Sequence, residues 1–120
     1  MIPFEFHEGH PSDGSGHRIV VPKGLESKTG LFAFLRQALP LPDYFGGNWD
    51  ALEECLIDLD WSTHPKIILV HQDLPLKNKP AEQKTYLEIL TLAVQESGRL
   101  HVVFPGHARH EIEQLLSAPK

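Results

Sequence analysis

Three short apolar runs constrain what this chain can become: residues 18–22 (RIVVP), 66–71 (KIILVH) and 100–104 (LHVVF). Each is rich in β-branched residues and bounded by polar, Gly- or Pro-containing sequence, which is the pattern of a buried strand. Between them the apolar residues change to the three-to-four-residue spacing of amphipathic helices. Strands joined through helical crossovers pair in parallel, with right-handed connections. The expected fold class is therefore α/β: a three-stranded parallel sheet in sequence order, with helices packed mainly on one face, two layers in all.

Local signals bound the helices. Ser27 is a good N-cap for a helix over residues 28–39, with Leu31, Leu35, Ala38 and Leu39 on one face and Pro40 and Pro42 stopping it. Asn48 is a good N-cap for a second helix over 49–59, whose apolar positions Trp49, Leu52, Cys55, Leu56 and Leu59 follow helical spacing. A third helix spans 80–97, with Pro80 in its first turn and Gly98 as its stop. Residues 108–116 suggest a short terminal helix. Residues 1–17 are rich in Gly, His, Pro and Ser, apart from an alternating IPFEF piece that suits an edge strand paired with the next strand in the chain. The expected organisation is an N-terminal extension (1–17), one domain (18–104) and a C-terminal extension (105–120).

Charge narrows the function. The net charge is −5, yet residues 37–65 contain no Lys or Arg and hold Asp43, Asp50, Glu53, Glu54, Asp58 and Asp60. All the net negative charge is concentrated there, because acids and bases nearly balance elsewhere. Such a field attracts basic proteins and repels nucleic acid. No apolar run approaches the ~20 residues of a membrane helix, and the opening MIPFEFHEGH lacks the basic and apolar regions of a secretory leader. Cys55 is the single cysteine, so no internal disulfide forms. A cytoplasmic protein, monomeric when unbound, with no membrane and no nucleic acid as partner, is the simplest expectation.

The second helix divides into two faces. Asp50 and Glu54 are four residues apart, so they lie about 6 Å apart along the axis on one stripe, which Asp58 continues. Glu53 lies beside them. Asp50 in the first turn suits the helix dipole, but like charges at this spacing cost a few tenths of a kcal/mol. A solvated acidic face is the plain reading; the absence of any interleaved base over twenty-nine residues favours a partner that brings Arg and Lys. The phase predicts Trp49, Leu52, Cys55 and Leu56 largely buried, with Asp50, Glu53 and Glu54 exposed.

The stretch LPLPDYFGGNWDALEECL resembles the central segment of the barstar family, intracellular inhibitors of the ribonuclease barnase. The shared pattern mixes aromatic, Gly, Asn, acidic and Cys positions over about eighteen residues. The resemblance implies a barstar-like fold and an inhibitor or immunity-type protein, not an enzyme, that plugs the active site of a basic ribonuclease-like protein. Carried across, Tyr44 packs on the enzyme's catalytic histidine, Asp50 bonds at the edge of the active site, and Glu54 enters the phosphate pocket among arginines. A carboxylate there makes strong charge-assisted bonds. Gly46, Gly47 and Asn48 shape the loop, and Glu53 and Asp58 complete the acidic surface. This chain has Glu54 where the family has Asp, and Glu53 where it has Trp. A further family contact acid falls near Leu92 and Ala93, with Glu88 and Glu96 each within a turn.

Two other readings have weaker support. His7 with His10, and His107 with His110, are spaced three apart, but the first pair lies in a Gly/Pro loop and no Cys joins either, so no metal site or other cofactor is expected. His71 and His101 read as packing residues. A small hydrolase using Asp50 and Glu54 needs two carboxylates in different environments, and one exposed helical face gives both the same. No nucleophile elbow, phosphate loop or dinucleotide fingerprint is present.

Overall fold

The computed structural model describes residues 3–7, 17–39, 41, 46–59 and 66–117. The elements run β1 (Glu5–His7), β2 (His17–Val21), α1 (Lys28–Ala38), α2 (Trp49–Asp58), β3 (Ile67–His71), α3 (Pro80–Ser97), β4 (Leu100–Pro105), a single 3-10 turn (Gly106–Ala108) and α4 (Arg109–Ser117). The capping signals work as their chemistry requires. Ser27 Oγ accepts from the Gly30 N–H at 3.1 Å, and Asn48 Oδ1 accepts from the Ala51 N–H at 2.8 Å. Pro80 opens α3, and Gly98 closes it at a positive φ of 68°.

All pairings in the sheet are parallel, in the order β1-β4-β3-β2. The neighbours β2, β3 and β4 follow sequence order as expected, but the sheet has four strands and not three. The additional strand is β1, and it pairs with β4 at the far end of the chain (Glu5 opposite Val103), not with the next strand, β2. Alternation explains its docking. Phe4, next to the strand, is buried with its ring 5.3 Å from that of Phe104, and the Arg109 guanidinium lies 5.3 Å over the Phe6 ring.

One phase of the strands faces the helices. Ile19, Val21, Leu69, Val102 and Phe104 join a single cluster with the buried residues of α1, α2, α3 and Ile112 of α4. On the other phase Val20 is 45% exposed. The helices thus lie on one face of the sheet, a two-layer α/β arrangement.

His71 closes the top of this core. It is 2% exposed and stacks on Phe104 with 4.1 Å between ring centroids. Its Nδ1–H donates to the Val103 carbonyl at 3.1 Å, which leaves Nε2 to accept from the Tyr86 hydroxyl at 2.7 Å. In the neutral ring the tyrosine proton also has an acceptor, and burial is what disfavours the charged form. Burial pushes the imidazole down from its ordinary 6.5 to about 4, against the smaller upward pull of its backbone hydrogen bonds.

This makes stability depend on pH in a defined window. The unfolded chain binds a proton at His71 near pH 6.5, whereas the folded chain resists it until about pH 4. The contribution is fully present above pH 6.5 and is lost as pH falls towards 4. Urea unfolding at pH 7 and pH 5 is expected to differ by about 2 kcal/mol from this residue. His71→Gln is expected to be less stable at pH 7 and to flatten the dependence between those pH values. An unchanged slope in the variant refutes the assignment to His71.

Candidate functional site

α2 carries the site, and its placement follows from its buried side. Leu52 and Cys55 are 0% exposed and Leu56 is 1%, all within the common core. That fixes the rotation of the helix. Asp50, Glu54 and Asp58 are exposed as expected. Glu53 is only partly buried rather than exposed, because it sits at the margin between the two faces. Trp49 is less completely covered than Leu52 and Cys55. It is partly buried, since the first residue of the helix lies at the rim, where helical phase alone does not provide cover.

The segment leading into α2 is shaped by its backbone. Gly47 has φ +84°, a conformation that suits glycine. A Cβ there would stand 3.3 Å from Arg36 Nη2, so the guanidinium at the end of α1 packs close against this turn. Gly46 and Asn48 are exposed, and Asn48 spends its side-chain carbonyl on the cap. Asp43, Tyr44, Asp60 and Trp61 lie outside the described residues.

The far end of α2 is held by a residue that sequence patterning does not reveal. Leu59 terminates the helix in the left-handed region (φ 48°), which is uncommon for leucine. Its N–H donates to the Cys55 carbonyl at 3.1 Å, and its own carbonyl accepts from Arg99 Nη1 at 3.1 Å. Arg99 thus places a cation at the helix C-terminus, where the dipole favours it. Trp49 meets Tyr86 near the start of α3, and Leu59 meets Arg99 just past its end. The two helices therefore run side by side in the same direction.

That register clarifies the third-helix position. Ala93 is fully buried, whereas Leu92 is 37% exposed. Glu88 and Glu96 are both exposed, and they flank Leu92 at four-residue intervals on one stripe of α3. Along the axis, Leu92 lies at roughly the level of Glu54. The acids of α2 and the outer stripe of α3 thus belong to adjacent helices.

Among the described residues, no group of three or more His, Cys, Asp or Glu side chains is placed to hold a metal ion. His107 Nε2 lies 3.3 Å from Asp73, whose other oxygen pairs with Lys77 at 2.7 Å. Burial pulls the Asp73 carboxyl upward, but Lys77, the Leu74 N–H and His107 outweigh it and hold the group below its ordinary value. His101 Nδ1 stands 4.0 Å from Glu5 on the sheet. His10 lies outside the described residues. No described helix is long and apolar enough to cross a membrane.

No individual curated protein matches the sequence. The family model for Barstar (barnase inhibitor) matches residues 18–107, a span that runs from the second residue of β2 through β3 and β4 and holds α1, α2 and α3. Members of that family are inhibitors and not enzymes. With most of its length matched and its parallel α/β fold in keeping, the chain belongs to the barstar (barnase inhibitor) family.

Proposed function

We propose that this protein inhibits a basic, barnase-type ribonuclease by covering its active site with the segment from Tyr44 to Asp58. Membership of a family of ribonuclease inhibitors supports the partner class. The observation that carries the surface is the division of α2. Its inner face is locked into the core, and its outer face presents Asp50, Glu54 and Asp58 to solvent on one stripe.

Each residue has a distinct task. Glu54, at the middle of the stripe, is the anion for the phosphate-binding pocket of the enzyme, where arginines bond it strongly. Asp50 bonds at the margin of that pocket. Asp58, one turn further on, adds to the attracting field. Glu53 contributes its exposed part to the same surface. Tyr44 packs on the catalytic histidine of the enzyme. Gly46, Gly47 and Asn48 give the loop its turn, and Asn48 secures the start of α2 at the same time. The protein acts as an immunity-type inhibitor in the cytoplasm, monomeric until it meets its target. No cofactor takes part.

The core-facing half of α2 fixes the helical part of the site. A preformed surface avoids ordering costs on association, so electrostatics governs the encounter rate and the packed contacts govern dissociation.

Stopped-flow association with barnase, with inhibition of RNA hydrolysis as the second readout, tests the reading. Association is expected to be fast at low salt and to slow markedly as ionic strength rises, because fields of this kind are screened over about 8 Å at physiological salt. An association rate indifferent to salt contradicts the proposed surface.

Three substitutions separate the roles. Glu54→Gln keeps the shape and removes the charge. It is expected to speed dissociation and weaken binding by about 2–5 kcal/mol, the general range for a desolvated charge pair, to which barnase–barstar itself belongs as a measured case. Asp58→Asn is expected chiefly to lower the on-rate. Tyr44→Ala is expected to weaken binding with little change in its salt dependence. Parental affinity in all three variants places the interface elsewhere.

A further inference from the structure

Trp49 stands where α2 meets solvent, between two residues of the proposed interface. Its neighbours Asn48 and Asp50 are both exposed, while the indole is partly buried. Phe32 of α1 meets it nearly edge-on, with 5.0 Å between centroids and 80° between planes, and Tyr86 of α3 lies at 6.3 Å. Tyr86 is itself immobilised: it is 0% exposed and its hydroxyl bonds His71 Nε2. His71 in turn is fixed by the Val103 carbonyl and the Phe104 ring. A continuous chain of packed rings thus runs from the centre of the sheet to the rim of the acidic face.

A buried leucine would fill the inner part of that position. Tryptophan is larger, and Trp49 is only partly buried, at the end of α2 that begins the acidic stripe with Asp50. A large aromatic side chain held still before association loses little freedom when a partner covers it. Tryptophan is also among the residues that dominate binding energy at interface centres. The indole face attracts guanidinium and ammonium groups, the same groups that the neighbouring acids attract.

We propose that Trp49 is an aromatic anchor of the ribonuclease interface, with its ring set in advance by Phe32 and the Tyr86–His71 pair. It takes an Arg or Lys side chain, or the apolar wall beside one, at the edge of the enzyme's basic cleft. This inference rests on the inhibitor reading and deepens it: the acids confer attraction to any basic surface, whereas Trp49 demands a shape and so contributes to the choice of enzyme. Tyr86 and His71 are positioning residues and do not touch the partner.

The sequence contains two tryptophans, so a Trp61→Phe chain labelled with 5-fluorotryptophan reports on Trp49 alone. Its fluorine resonance is compared in H2O and D2O, free and in complex with unlabelled barnase, with RNA hydrolysis followed in parallel. The free chain is expected to show a solvent isotope shift that disappears in the complex. Trp49→Leu is expected to dissociate about ten-fold faster than the parent, with an on-rate within about two-fold. Tyr86→Phe, which keeps the ring and removes the hydroxyl, is expected to move the free-chain resonance and to speed dissociation by a smaller factor. If the complex forms and the isotope shift of Trp49 is unchanged, Trp49 belongs to the core alone and the inference is overturned, whatever the folding of the variants. Failure of the parent chain to bind or inhibit barnase refutes the inhibitor reading, and this inference with it.

Discussion

The apolar face that β2, β3 and β4 turn toward the helices governs the placement of everything else. Ile19, Val21, Leu69, Val102 and Phe104 give α1, α2 and α3 one common side of the sheet against which to bury their stripes. Right-handed crossovers then put the successive helices on that side, because the strands advance in one direction from β2 to β4. The rotation of α2 is a consequence. Once Leu52, Cys55 and Leu56 are inside, Asp50, Glu54 and Asp58 have nowhere to point but outward.

The same packing explains how the fold tolerates an unfavourable surface. Three carboxylates on one stripe repel each other by a few tenths of a kcal/mol per pair. Each fully buried aliphatic side chain on the other face contributes about 1.5–3 kcal/mol, an upper figure given a compact unfolded state. Arg99 at the Leu59 carbonyl and the Asn48 cap add to the same side of the balance. The inner face outweighs the outer by a wide margin, so the acids can be arranged for a partner and not for stability.

Much of this was legible in the chain because it is local. Ser27, Asn48, Pro80 and Gly98 mark helix ends through hydrogen bonds and backbone angles within a few residues of themselves, and the structure has all four in those roles. The exposure of Asp50 and Glu54 followed from helical phase. What escaped was tertiary. Alternation marks IPFEF as an edge strand, but β1 is three residues long and its partner lies at the other end of the sequence, so nothing nearby identifies β4 as that partner. Phase gives the angle of Trp49 around α2 but not its distance from the rim, and so it does not distinguish the partly buried indole from the fully buried Leu52 and Cys55. Arg99 reaches the Leu59 carbonyl across forty positions of sequence, a pairing that no periodicity encodes.

The pairing of β1 with β4 also bears on how the molecule assembles. Glu5 and Val103 are brought together across about a hundred residues, whereas β3 and β4 are joined through α3 alone. Loop closure over the longer span costs about 1 kcal/mol more entropy, and only three residues of ladder return it. The β1–β4 pair is therefore the costlier of the two to close. Until β1 docks, β4 is an open edge with unpaired backbone groups and an apolar face, the kind of edge that recruits other chains. During synthesis that interval begins only when the last strand emerges, by which time Phe4 and Phe6 have long been available to close it.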